Sequence, residues 1–164
     1  MVELKEYFLS SKFLKKLNEI SDNCCDDNGK KYIDFDLFAG NKVASVDSLI
    51  IKDEYLLFIE FKKLDFKESE KLQDWLNKHE KQILLKGYES FFLVYNLCEE
   101  LNIKSKFENI EKRFIVVYKA DNFKSKIKKH FKNKVNRLKI AYNEAFPIEC
   151  ERFYKLLERI ENVF

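Results

Sequence analysis

The run Tyr55–Lys63, YLLFIEFKK, limits what this chain can fold into more than any other stretch. Read as a strand, its successive side chains point to opposite faces. Leu56, Phe58, Glu60 and Lys62 then share one face, and Leu57, Ile59 and Phe61 the other. Both faces begin apolar, so the strand is central and needs a packed layer on each side of its sheet. One face ends in a carboxylate and an ammonium. A charge at the edge of a core is costly unless it is paired or bound to metal.

The preceding pattern places this strand in a hairpin. Lys42–Ile51 reads as a strand with Val43, Ser45, Asp47 and Leu49 on one face, and Lys52-Asp53-Glu54 reads as a tight connection. Pairing symmetric about residues 53 and 54 sets Asp47 opposite Glu60. Directly opposed residues have Cβ atoms about 5 Å apart on the same face. Asp47 and Glu60 can thus chelate one hard cation, with Lys62 two residues away on that face. The bland alternative is a structural charge cluster, an exposed ion pair worth little.

Helical spacing of Leu4, Phe8, Phe13, Leu14, Leu17 and Ile20 predicts a helix over 3–20, followed by a turn-rich loop over 21–29. Lys31–Phe38 alternates as a strand, with Asp34 and Asp36 on its solvent side, and 39–41 read as a turn. A helix is expected over 68–86, stopped by Gly87, and then a strand over Ser90–Leu97 with burial on both faces. Arg113–Lys119 is a further strand. Two helices close the chain, about 122–146 and 148–163, with Pro147 in the first turn of the second. The 164 residues are expected to form one α/β domain, long enough to bury a core without disulfides or a structural metal.

The arrangement Asp47-x(12)-Glu60-Phe61-Lys62 across a hairpin resembles the active-site signature of the PD-(D/E)XK nuclease superfamily. The α-β-β-β-α-β order around it is similar too, over about residues 3–97. Val46 stands where the family name has proline, a position that supplies no metal ligand. The resemblance implies a restriction-endonuclease-like αβββαβ core, about 3–120, with a mixed central sheet flanked by helices and two added C-terminal helices over 121–164. It also implies binding of Mg²⁺ or Mn²⁺ by Asp47, Glu60 and the Phe61 carbonyl, with Lys62 orienting or deprotonating the attacking water. Cleavage would leave a 5′-phosphate and a 3′-hydroxyl, and many members act as homodimers. Members often add a Glu from the first helix. At about 100° per residue, Glu6 faces the middle of the predicted apolar stripe, while Glu19 points away. Glu6 is therefore the candidate third ligand; the alternative is that it lies beyond the core's edge in solvent. In several branches the helix after the motif also faces the metal, which makes Gln82 and Lys86 candidate supporting residues.

Net charge decides what partner to expect. The total is only +3, but residues 1–120 hold 20 basic and 22 acidic side chains, against 11 and 6 in residues 121–164. Between Lys124 and Lys139 lie eight basic residues and no acid: Lys124, Lys126, Lys128, Lys129, Lys132, Lys134, Arg137 and Lys139. Most fall off the apolar stripe of Phe123, Ile127, Phe131, Val135, Leu138 and Tyr142. The predicted exposed face suits nonspecific contact with a nucleic-acid backbone, DNA before RNA, most directly through Lys124, Lys128, Lys129, Lys132, Arg137 and Lys139. A merely solvated helix is the competing reading, and a catalytically silent nucleic-acid-binding or interaction module on the same fold is the alternative function.

Other classes find no support. No apolar run approaches the length of a transmembrane helix. The acidic start, MVELKE, is unlike a signal peptide, so a cytoplasmic protein is expected. Cys24, Cys25, Cys98 and Cys150 lack metal-ligand spacing and are expected to be free thiols. The two histidines, His79 and His130, are far apart, and phosphate-binding glycine motifs are missing.

Overall fold

The computed structural model describes residues 1–9, 12–40 and 43–160. Its order is α1 (Val2–Leu9), β1 (Leu14–Lys16), α2 (Leu17–Ile20), β2 (Lys31–Asp34), α3 (Phe35–Ala39), β3 (Ser48–Ile51), β4 (Tyr55–Leu64), α4 (Ser69–Glu100), α5 (Lys104–Asn109), β5 (Glu111–Ala120), α6 (Lys124–Val135), a 3-10 turn (Asn136–Ile140), β6 (Glu144–Glu149) and α7 (Cys150–Arg159). The six strands form one mixed sheet in sequential order, β1 to β6. Antiparallel pairing runs from β1 to β4, and parallel pairing joins β4 to β5 and β5 to β6. The expected α/β architecture, a mixed sheet flanked by helices, is present.

β4 is central, as its two apolar faces demand. Leu56 and Phe58 join a core with α1, α4, α5 and α6, while Leu57, Ile59 and Phe61 join a second core with α2 and α7. The hairpin register also holds: Ser48 pairs with Ile59 and Leu49 with Phe58, the pairing symmetric about residues 53 and 54. β3 is shorter than expected, beginning at Ser48, so Asp47 stands just before its first residue. Lys42, the expected start of that strand, lies outside the described residues, as do Asn41 of the expected turn and 161–163 of the expected last helix.

Several expected elements are corrected. The 3–20 helix is three elements, because Phe13 and Leu14 leave the helical path: Leu14 pairs with Ile33, and the Asp34 N–H donates to the Phe13 carbonyl at 2.6 Å. Phe8, Phe13 and Phe35 instead meet Phe38 in an edge-to-face and tilted aromatic cluster. The strand over 31–38 ends at Asp34, whose carboxylate accepts the Leu37 N–H at 2.9 Å and starts α3. Asp34 is therefore buried and bridged to Lys15 at 2.7 Å rather than solvent-facing, while Asp36 moves onto a helix.

Gly87 does not stop a helix. α4 runs unbroken for 32 residues and absorbs the run predicted as a strand over 90–97. Ile83, Gly87, Ser90, Val94, Leu97 and Cys98 are its buried stripe, so the apolar run is a buried helix face, which periodicity over a short window does not separate from a strand. Gly87 allows a close approach: a Cβ there would lie 2.8 Å from both Leu138 methyls, and the Tyr142 hydroxyl donates to the Gly87 carbonyl at 2.6 Å.

The helix expected over 122–146 ends at Val135, and its last residues become the 3-10 turn and β6. Pro147 lies in β6 beside Val116 rather than in the first turn of a helix. An edge strand tolerates a residue without an N–H. Cys25 and Cys150 pair as a disulfide with Cα atoms 6.1 Å apart, which corrects the expectation of four free thiols. Cys24 and Cys98 are free and buried. No helix among the described residues is long and apolar enough to cross a membrane.

Candidate active site

The hairpin register carries Asp47 to the end of β3 and Glu60 to the facing position on β4. Asp47 Oδ2 accepts the backbone N–H of Phe61 at 2.6 Å. The N–H and C=O of one strand residue leave on the same edge. The Phe61 carbonyl therefore faces the Asp47 side of β4. Glu60 is fully buried, and Lys62, on the same face, donates to Glu60 Oε1. The spacing Glu60-Phe61-Lys62 makes this pair local to one strand face, as alternation requires.

Lys86 enters from α4. Its Nζ lies 3.1 Å from Asp47 Oδ1 and 3.1 Å from each Glu60 oxygen. Asp36, on α3, stands 4.0 Å away and is half exposed. Every oxygen of the Asp47 and Glu60 carboxylates thus has a donor from the chain itself. Burial first, and then the Glu60 charge, push the Asp47 carboxyl up to about 8, and Lys86, Lys62 and the Phe61 N–H offset this only in part. At Lys86, burial acts to lower the pKa, but Glu60, Asp47 and Asp36 outweigh it and hold the ammonium above the ordinary lysine value. An ammonium 3.1 Å from both carboxylates is the contact geometry of ionised partners. Both observations describe two crowded carboxylates that favour a cation between them.

The group opens into a cavity of about 390 Å³. Asp47, Lys62 and His79 line it with Asp22 and Asn23, from the loop after α2. Cys24 in that loop donates its thiol to the Lys62 carbonyl at 3.5 Å, which ties the wall to β4. Burial, then the nearby Lys62 charge, lower His79 to about 4, so its imidazole is neutral at pH 7. The His79 ring packs edge-on against Trp75, 4.6 Å between centroids. Its place beside the motif depends on the course of α4 over the sheet, which no local pattern specifies.

The other candidates divide. Gln82 is exposed and turned to His79 Nδ1 at 3.2 Å, with no bond to the carboxylates. Glu6 is exposed. With α1 ending at Leu9, the buried stripe is Leu4 and Phe8, and Glu6 falls on the opposite side. The predicted phase was set by residues that belong to β1 and α2, so the expectation that Glu6 faces inward is corrected. No group of three or more His, Cys, Asp and Glu side chains that could hold a metal occurs among the described residues. Asp47, Glu60 and the Phe61 carbonyl are an all-oxygen donor set, suited in kind to a hard cation.

The basic segment lies on the α4 side of the sheet, its Ile127, Phe131 and Val135 in the core shared with Phe58. Lys124, Lys128, Lys129 and Lys132 on α6 are exposed, as are Arg137 and Lys139 on the 3-10 turn. Lys124 pairs with Glu149 at 3.3 Å, and Lys134 is drawn to Glu80 at 2.7 Å. Lys128, Lys132 and Lys139 flank a groove floored by Ala145 and Pro147 of β6. Phe131 stacks near Trp75, 5.8 Å between centroids, so rings link the basic helix to His79 at the cavity. Comparison of the chain with family models, with curated proteins and with solved structures finds no match.

Proposed function

We propose that the chain is a metal-dependent phosphodiesterase acting on nucleic acid, an endonuclease of PD-(D/E)XK type with DNA as the first substrate and RNA the second. One observation carries this reading: Asp47 and Glu60 face each other across the β3–β4 hairpin end with Lys62 beside them, and a cationic nitrogen already lies 3.1 Å from both carboxylates. The antiparallel-then-parallel sheet and the sequence resemblance support the restriction-endonuclease-like assignment of the fold.

Asp47, Glu60 and the Phe61 carbonyl would hold Mg²⁺ or Mn²⁺. When bound, that ion polarises the scissile phosphate and lowers the pKa of a bound water. The chain's own groups do the rest. The Phe61 N–H fixes the Asp47 carboxylate. Lys62 lines the cavity, where its ammonium orients the attacking water and balances charge that develops on the phosphate. The lysines of α6 hold the polyanion by its backbone, without reading bases. The products are a 5′-phosphate and a 3′-hydroxyl. A homodimer would allow two strands to be cut.

A second reading, a catalytically silent nucleic-acid-binding module, draws on the complete engagement of the Asp47 and Glu60 oxygens by Lys62, Lys86 and Phe61. Incubation of the full chain with supercoiled DNA, and in parallel with RNA, in Mn²⁺ or Mg²⁺ separates the two. Nicking that is lost in Glu60→Gln supports the nuclease. Undiminished cutting by that variant removes the proposed mechanism, and binding without cutting favours the silent module.

A further inference from the structure

We propose that Lys86 is a built-in counter-cation that occupies the metal position of the empty protein and withdraws to Asp36 when a divalent ion enters. The inference rests on the metal-dependent reading above and assigns the control of that same site. Three contacts carry it. Lys86 Nζ bonds Asp47 Oδ1 and both Glu60 oxygens at 3.1 Å, so it lies where a shared cation would lie. Lys62 also donates to Glu60 Oε1, and the Phe61 N–H holds Asp47 Oδ2, which leaves Lys86 as the group standing between the two carboxylates. Asp36 Oδ2 stands only 4.0 Å from Lys86 Nζ, and its carboxylate is half exposed, toward water and away from the core.

The charge balance requires the movement. Asp47 and Glu60 carry two negative charges, and Lys62 and Lys86 two positive. A divalent ion bound between the carboxylates beside an unmoved Lys86 would put an ammonium and a metal ion on the same oxygens. Like charges a few ångströms apart in a partly buried site repel strongly. A lysine stem has four rotatable carbons and its ammonium needs no fixed plane, so a short swing to Asp36 keeps it paired. Ser45 Oγ donates to the other Asp36 oxygen and holds that carboxylate in place as the receiving group. Lys86 thus sets a threshold: the ion binds only to the extent that it outcompetes an ammonium already there. The buried carboxylates also stay satisfied while no metal is present.

The test measures Mn²⁺ and Ca²⁺ binding to the full chain by calorimetry, with thermal unfolding in the presence and absence of each ion. Lys86→Met should bind the ions at least tenfold more tightly than the native protein, melt lower without metal, and gain a larger shift in Tm on saturation. Lys86→Gln, which keeps polar reach without charge, should show the same order if the Met variant folds poorly. Asp36→Asn should weaken ion binding in the native background and have little effect beside Lys86→Gln, because the receiving group then has nothing to receive. Native-like or weaker binding in both Lys86 variants, with the native protein binding metal, overturns the inference and leaves the metal-dependent reading standing. Failure of native protein and variants alike to bind either ion overturns that reading and the inference with it.

Discussion

Asp47 and Phe61 are joined by a side-chain bond that continues the sheet past its last strand pair. The carboxylate Oδ2 accepts the Phe61 N–H at 2.6 Å, where β3 has not yet begun and β4 would otherwise have a free donor. One oxygen of the proposed metal ligand is therefore also part of the scaffold.

That double duty separates Asp47→Asn from Asp47→Ala. The amide oxygen of Asn can still accept from Phe61, whereas Ala leaves a buried N–H unsatisfied. Unpaired buried donors cost about 1–3 kcal/mol. Chemical denaturation should find the Ala variant less stable than the Asn variant by about that amount. Metal-dependent cleavage should fall by about 100-fold or more in both, as for loss of a group that stabilises developing charge.

Phosphate contact by α6 should appear in the salt dependence of binding. Each neutralised phosphate of duplex DNA contributes about −0.9 to the slope of log K against log salt. Replacing Lys128, Lys129 and Lys132 together by Ala removes three exposed cations of the basic face. Fluorescence anisotropy across a salt series should show a slope shallower by about 2.7, with equal losses on unrelated DNA sequences. An unchanged slope would move the binding face elsewhere.

Gly87 should resist even the smallest side chain. Alanine is intrinsically better in a helix by about 1 kcal/mol. Here its Cβ would meet both methyls of Leu138, a fully buried residue, at 2.8 Å. Overpacking costs about 1–3 kcal/mol. Gly87→Ala should therefore lower the denaturation midpoint, and the same change should cost less in a Leu138→Ala background, where the opposing methyls are gone. Additive effects in that double-mutant cycle would show that the contact is not limiting.

Thiol titration checks the cysteine assignment. Burial pushes the Cys24 thiol up to about 11 and the Cys98 thiol likewise to about 11. At pH 8 only about one molecule in a thousand carries either thiolate, the reactive form. A disulfide-exchange reagent at pH 8 should find almost no reactive thiol in the folded protein. Two should appear after unfolding, and four after unfolding with reductant. Four without reductant would exclude the Cys25–Cys150 bond.

The parts legible in the sequence are those where a short period and a short connection determine the answer together. β4 alternates cleanly over Leu56–Lys62, and the tight turn at 52–54 leaves one symmetric pairing, so Asp47 and Glu60 could be set opposite each other without a structure. Lys86 was reachable because it lies one turn from the buried Ile83 on a helix known to follow the motif. The misses share a different physics. Gly87 looks like a helix stop until Leu138, 51 residues later in the chain, fills the space beside it. Phe13 and Leu14 fit a helical stripe, yet tertiary pairing with Ile33 overrides that local preference. Glu6 faces outward because the helical phase that points it inward is averaged over residues beyond the end of α1. His79 and Asp36 reach the site only through the path of α4 across the sheet and the turn of α3, neither of which leaves a local trace.

Pro147, on the outer strand β6, has a consequence for how copies of this chain can meet. A free strand edge invites another chain to add itself to the sheet, and proline interrupts the donor row that such growth needs. The opposite edge, β1, is only three residues long, too short a template for stable addition. The sheet thus carries at each margin a feature that disfavours its growth by strand addition.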